Sequence, residues 1–218
     1  MTAGPAPSPA ELRGWLGEID VYLLDQLLKG RLVPGTRVLD AGCGRGRNLL
    51  YLLRAGFEVW GVDRDAAAVE EVRRLAAAAV PGLPADRFRV EPVERTTFPD
   101  GWFDAVLSSA VLHFARDTAH WEAMLAEAWR VLRPGGLFFA RLATDVVIEE
   151  RVRPLGGRRF LLPDGTERFL ADERMLADAE RRLGAEPVEP LRTVNVHGAR
   201  CMTTWVLRRQ PAPGWAPA

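Results

Sequence analysis

Residues 38–48, Val-Leu-Asp-Ala-Gly-Cys-Gly-Arg-Gly-Arg-Asn, and residues 59–63, Val-Trp-Gly-Val-Asp, decide how this chain is read. An apolar run ends in Asp40, glycines follow at 42, 44 and 46, and a helical pattern starts near Asn48. A second apolar run then ends in Asp63. Strand, glycine loop, helix, strand and terminal carboxylate make one βαβ unit of the kind that holds a nucleoside-containing cofactor. Glycines let the backbone approach a ligand closely and reach φ > 0. The free N–H groups opening the next helix offer donors to an anionic group. Asp63 falls 21 residues after Gly42, near the ~20 expected of a carboxylate that takes both ribose hydroxyls.

A dinucleotide fingerprint, Gly-x-Gly-x-x-Gly, would place its third glycine at position 47. Position 47 is Arg, and the third glycine comes one residue early, at Gly46. The stretch Leu39-Asp40-Ala41-Gly42-Cys43-Gly44-Arg45-Gly46 resembles the first motif of class I S-adenosylmethionine-dependent methyltransferases. The resemblance implies that the loop packs against the amino-acid part of S-adenosylmethionine and that Asp63 holds its ribose. The cofactor set expected on this basis is Asp40, Gly42, Cys43, Gly44, Gly46, Asn48, Asp63, Arg64, Val93, Glu94 and Ser108. The competing reading is a glycine-rich turn in the core with Asp63 as a surface cap.

Three further stretches extend the resemblance over roughly residues 36–208. Phe98 to Phe114 looks like the family's Pro-Phe-Pro-Asp-x-x-Phe-Asp segment and the strand after it. Ala126 to Gly136 looks like the helix and turn before the fifth strand, and a terminal strand pair, 188–196 and 201–208, looks like the family's finish. Alternating strands and helices ending in such a pair predict an α/β, Rossmann-like three-layer sandwich. Its seven-stranded sheet is mostly parallel, with one antiparallel strand near the C-terminus. One departure stands out: family members usually carry a polar residue where the adenine amino group lies, and here that place is Pro92. Glu94 and the Val93 backbone N–H are the nearest substitutes, and Glu94 as an ordinary loop carboxylate is the alternative.

The chain has 218 residues, 48% hydrophobic and 27% charged, with a net charge of zero. That is the composition of one ordinary globular domain. It offers no electrostatic footprint for nucleic acid or a membrane surface. Arginine supplies 28 of the 29 basic residues, Lys29 being the exception, which reads as a trace of origin. Cys43 and Cys201 make no disulfide framework, no Cys/His cluster has metal spacing, and no apolar stretch has membrane length. These features point to the cytoplasm and to a monomer or homodimer without metal. Residues 1–9 and the Pro-rich 210–218 are expected to be disordered tails. They flank a single domain, 10–209, with an N-terminal helical lid (10–30) and an insertion (148–171).

Methyl transfer from a sulfonium asks mainly for alignment, and for a base only when the acceptor is protonated and weakly acidic. His113 follows the strand ending at Ser109, at the edge where such sheets bind ligands, and is the candidate catalytic base. A pocket-lining histidine without proton transfer is the competing reading. Tyr22, His113, Arg158 and Arg159 are the candidate substrate residues. The two arginines could clamp an anionic or oxyanion substrate or sit in a solvated loop, and Tyr22 could cover the cofactor or pack in the core. His120 and His197 read as structural.

Ser108-Ser109-Ala110-Val111 stands where amine-methylating members carry Asn/Asp-Pro-Pro-Tyr/Phe, which argues for a small-molecule acceptor and against nucleic acid. Residues 44–52 also resemble tellurite-resistance and thiopurine-type methyltransferases, which motivates thiols and chalcogen oxyanions as acceptors. The rival readings are a nucleic-acid methyltransferase, an NAD-type dehydrogenase and a cofactor-binding module without catalysis.

Overall fold

A computed structural model describes residues 6–211. In chain order the elements are α1 (Pro9–Leu16), α2 (Val21–Leu28), β1 (Arg37–Ala41), α3 (Leu49–Arg54), β2 (Glu58–Asp63) and α4 (Ala66–Ala79). There follow β3 (Phe88–Val90), β4 (Phe103–Ser109), α5 (Thr118–Val131) and β5 (Leu132–Thr144). The chain continues with β6 (Arg153–Gly156), β7 (Arg159–Leu161), β8 (Glu167–Phe169), α6 (Glu173–Leu183), β9 (Ala185–Pro187), β10 (Arg192–Val196) and β11 (Arg200–Arg209).

The main sheet runs β10-β11-β5-β4-β1-β2-β3, with the short β9 added alongside β11. β1 pairs in parallel with β2 and β4, and β4 with β5, while β11 is antiparallel to both β5 and β10. This is the expected seven-strand sheet with one reversed strand. Successive strand residues point to opposite faces, and the apolar side chains divide accordingly. Val38, Ala105, Leu107, Leu137 and Phe139 join Leu23, Leu49 and Val72 on the face covered by α2, α3 and α4. Leu39, Val106, Phe138, Trp205 and Leu207 join Trp121, Leu125 and Leu176 on the face covered by α5 and α6. Two cores separated by the sheet make three layers.

The connections reverse direction at β1, which is flanked by β2 on one side and β4 on the other. Such a switch point opens a crevice beyond the carboxyl ends of the strands, where ligands bind in open α/β sheets.

Three features differ from the sequence reading. The first helix begins inside the stretch 1–9 that reads as a tail. Ser8 accepts from the Glu11 N–H, the Glu11 carboxylate accepts from the Ser8 N–H at 2.7 Å, and Pro9 fills the first turn. This reciprocal cap satisfies donors that a helix end leaves orphaned. Residues 1–5 and 212–218 of the two expected tails lie outside the described residues. The helix α5 ends at Val131, before Pro134-Gly135-Gly136, and passes directly into β5. The insertion, expected as a loop, contains a second sheet, the antiparallel β6-β7-β8. Thr144 bridges Ala171 at its base, so the chain leaves and rejoins the main fold at one point.

Candidate functional site

The glycine loop is shaped by three positive-φ positions with different reasons. At Gly42 (φ 84°) an added Cβ would come within 2.5 Å of a Val111 methyl. At Gly46 (φ 84°) it would meet Leu75 at 2.9 Å, so this glycine seats the loop against α4. At Gly44 (φ 51°) a Cβ would meet nothing within 4 Å. There the glycine serves backbone conformation, and its N–H donates to Asp63 Oδ2 at 2.9 Å. Asp63 Oδ1 accepts from the Asp65 N–H at 3.0 Å. Two backbone donors therefore fix the Asp63 carboxylate at the end of β2, each oxygen keeping further acceptor capacity.

Beside this arrangement lies a cavity of about 490 Å³, within the ~300–1,000 Å³ typical of small-molecule sites. Seven of the expected cofactor residues line it: Gly42, Cys43, Gly44, Asn48, Asp63, Arg64 and Val93. The other four do not. Asp40 is buried beneath the loop, where loss of hydration pushes its carboxyl up to about 7 against the opposing pull of Arg47. Gly46 faces α4, and Glu94 lies 3.1 Å from His120 and 3.8 Å from Arg116. Ser108 is buried in β4, on the face opposite its neighbour Ser109. Burial also pushes the Cys43 thiol up, so it stays protonated and packs as a small apolar group.

Sequence reasoning missed Arg47, Ser109, Ala110, Val111 and Phe114, all of which line the cavity. Strand alternation carried the signal for Ser109. Ala105 and Leu107 belong to the α3–α4 face, and the next residue in that register is Ser109 rather than Ser108. Ala110 follows β4 with φ 64°, a conformation that is uncommon for a residue other than glycine and that concentrates at functional sites.

A buried carboxylate that the sequence did not flag ties the N-terminal helices to the switch point. Asp20 caps α2 by accepting from the Tyr22 N–H at 2.9 Å, and its own N–H donates to Asn48 Oδ1 at 3.0 Å. Its second oxygen lies 2.9 Å from Arg141, 3.2 Å from Arg47 and 3.3 Å from the Ser109 hydroxyl. Arg141 in turn stacks over the Tyr22 ring at 4.8 Å. Tyr22 thus packs at the hinge of the N-terminal helices and does not border the cavity.

His113 lies on the far side of Ala110, bordering a second cavity of about 200 Å³. Burial and the charges of Arg168 and Arg200 lower it to about 4, so the ring is neutral near pH 7. Its Nδ1 accepts the Ala143 N–H at 3.3 Å. A neutral imidazole with Nδ1 accepting carries its proton on Nε2. The ring therefore has a donor and no free basic nitrogen, which removes the reason for reading His113 as the general base.

The expected arginine clamp also falls elsewhere. Arg158 is held between Asp145 (2.8 Å) and Asp172 (2.9 Å), and Arg159 pairs with Glu167 at 2.7 Å. Neither borders the two cavities that meet at Ala110, although Arg159 lines a third, of about 100 Å³, together with His113, Phe114 and Arg168. Among the described residues no group of three or more His, Cys, Asp or Glu side chains is arranged to hold a metal. No helix among them is long and apolar enough to cross a membrane.

A switch-point crevice, a glycine loop and a strand-end carboxylate, with one reversed strand in the sheet, define a nucleoside-cofactor protein of the class I methyltransferase architecture. Comparison with known proteins agrees. Residues 39–140 match the family model described as a methyltransferase domain, and over that stretch the chain is similar to the class I S-adenosylmethionine-dependent methyltransferases. It is 36% identical over 173 residues to the ubiquinone biosynthesis O-methyltransferase of Methylocella silvestris, covering 73% of this chain and 65% of that one. It is 37% identical over 110 residues to an S-adenosyl-L-methionine-dependent Diels-Alderase of Talaromyces variabilis, covering 49% of this chain and 36% of that one. The chain thus spans less than two thirds of either relative. The crystal structure of an S-adenosylmethionine-dependent methyltransferase from Methanosarcina mazei shares the fold. Its TM-score is 0.69 at 22% identity, covering 85% of this chain and 98% of that one.

Proposed function

We propose that this chain binds S-adenosylmethionine in the larger cavity and transfers its methyl group to a small molecule held next to it. The observation carrying this reading is the Asp63 carboxylate, fixed by the Gly44 and Asp65 N–H groups at the cavity wall. A preorganised anion there suits a pair of ribose hydroxyls, since hydrogen bonds to a charged acceptor are the strong ones. The glycine loop, bare of side chains at Gly42 and Gly44, gives the amino-acid end of the cofactor close access to the backbone. Val93 takes the adenine side, and its apolar side chain with Val111 and Phe114 keeps water from the reacting atoms. The cofactor supplies a methyl group on a sulfonium that leaves as a neutral thioether. The chain's residues then have to hold the acceptor in line with that bond.

No general base is assigned to this transfer. With His113 Nδ1 occupied, the chain is suited to an acceptor that arrives as an anion or a neutral amine. Zero net charge supports a diffusible small molecule over nucleic acid as the acceptor, and a cytoplasmic setting fits such a substrate. Calorimetric titration with S-adenosylhomocysteine and, separately, NAD tests the reading. Micromolar binding of the first, weakened by Asp63→Ala, is expected; binding of NAD instead would overturn it.

A further inference from the structure

The second cavity is the place where the chain departs most from an ordinary apolar substrate pocket. Its wall carries Arg47, Arg141, Arg168 and Arg200, together with His113 and Asp164. Two of these guanidiniums share Asp20 beneath the wall. Arg200 reaches Asp164 only at 3.9 Å. Arg168 lies over the Phe114 ring at 4.9 Å, donates to the Glu167 backbone oxygen, and forms no ion pair among the described residues. Arg141 keeps a buried Nε with no hydrogen-bond partner. Four guanidiniums against two carboxylates leave a surplus of two positive charges around a space of about 200 Å³. Like charges gathered around one partly enclosed space repel, and a cluster of this kind is stabilised by a counter-anion.

We propose that this cavity binds the anionic end of the methyl acceptor, a carboxylate or phosphate, gripped by Arg168 and Arg200 with the His113 Nε2–H as a third donor. The proposal rests on the reading of the larger cavity as the cofactor site. The two cavities share only Arg47 and Ala110 in their walls, so a molecule anchored here presents its other end to the cofactor side. The anion is the handle and not the nucleophile, because pairing with guanidinium draws electron density from the oxygens. A neutral His113 suits this task, since it donates without adding charge that would have to be desolvated. A space smaller than the ~300 Å³ at which drug-sized sites begin points to a compact acid. Charge-assisted, bidentate contacts favour arginine over lysine for gripping either planar carboxylate or phosphate.

The test uses the full chain in low-chloride buffer, saturated with S-adenosylhomocysteine, titrated with benzoate, phenyl phosphate and benzyl alcohol as probes. Both anions are expected to bind and the neutral alcohol not to, with affinity falling as salt rises. Benzoate against phenyl phosphate then ranks the two anionic groups. Arg168→Gln with Arg200→Gln should weaken anion binding about tenfold or more. S-adenosylhomocysteine affinity and the circular dichroism spectrum should stay as in the parent. Arg153→Gln, on the same small sheet but outside the cavity, should leave anion affinity unchanged, and Arg168→Lys should restore only part of it. The proposal is overturned if the alcohol binds as well as the anions, if no anion binds, or if the double variant binds them undiminished. Loss of S-adenosylhomocysteine binding in the parent would instead strike the cofactor reading. Repeating the anion titrations without that ligand separates the two failures.

Discussion

The two cavities meet at Ala110 and are built by opposite means. The larger one is made by neighbours in the chain: residues 42–48 and 63–64 supply most of its polar wall, and backbone N–H groups set its geometry. The smaller one gathers Arg47, His113, Arg141, Arg168 and Arg200 from five separate places, and its character comes from side chains alone. A ligand read by the backbone demands glycines at fixed spacing. A ligand read by side chains leaves no local pattern, only residues that tertiary structure brings together.

The contrast extends to how each region responds to pH, which offers the largest effect for breaking it. Asp40 beneath the glycine loop sits at about 7 when folded, well above the usual carboxylate value of 3.8. Its stabilising contribution is complete below about pH 4 and is lost as pH rises through 7. His113 beside the smaller cavity sits at about 4 when folded, below its ordinary 6.5. Its contribution is complete above about pH 6.5 and is lost as pH falls through 4. Over pH 4–7 the two oppose each other. Urea unfolding of the ligand-free protein should therefore show a shallow profile. Asp40→Asn should make stability climb with pH across this window, and His113→Asn should make it decline. Parallel slopes for the two variants would show that the two buried groups do not titrate with opposite effects on stability.

Binding measurements sharpen the same comparison. Asp63→Ala removes a charged acceptor that would meet two hydroxyls. Hydrogen bonds to charged groups contribute ~1.5–3 kcal/mol each, so S-adenosylhomocysteine affinity should fall on the order of a hundredfold. Binding of benzoate to the smaller cavity should not change. Gly42→Ala combines a strained φ, costing ~1–3 kcal/mol, with a 2.5 Å approach to Val111. Both the thermal midpoint and S-adenosylhomocysteine affinity should drop, whereas Gly14→Ala, where nothing lies within 4 Å, should leave affinity unchanged. The smallest effect belongs to the exposed pair Arg159–Glu167. Arg159→Gln should alter stability by ~0.5 kcal/mol or less and leave both ligands' affinities intact; a large loss of anion affinity would return Arg159 to the substrate site.

The fold was legible because each element announced itself locally. Val38–Asp40 and Val59–Asp63 are short apolar runs with acidic ends, and Trp121, Leu125, Ala128 and Leu132 keep helical spacing, three in α5 and Leu132 at its C-cap. The reversed β11 follows β10 through the tight turn at His197 and Gly198, which only an antiparallel pair allows. In the candidate site, Gly42, Gly44 and Asp63 were legible for the same reason. Asp20 was not, because its partners Arg47, Ser109 and Arg141 lie far along the chain and nothing near position 20 hints at burial. Arg158 and Arg159 drew attention as unpaired charges in a loop. Their partners Asp145, Asp172 and Glu167 become visible only when the insertion folds into its own sheet. The role of His113 turned on a single hydrogen bond from the Ala143 backbone, which no sequence pattern records.

The small sheet β6-β7-β8 leaves the main fold at Thr144 and returns at Ala171, residues that bridge each other. Arg158 staples it there by holding Asp145 on one side of the junction and Asp172 on the other. An excursion whose two ends coincide can vary in length without shifting the parent sheet's register, and here β8 lends Phe169 to the main core, stacked on Trp121 at 6.2 Å. The excursion also carries Arg168 and Asp164, two of the six residues that distinguish the smaller cavity, and none of what lines the larger one. Rewriting this excursion would therefore redraw part of the smaller cavity's wall and leave the larger cavity's wall as it is.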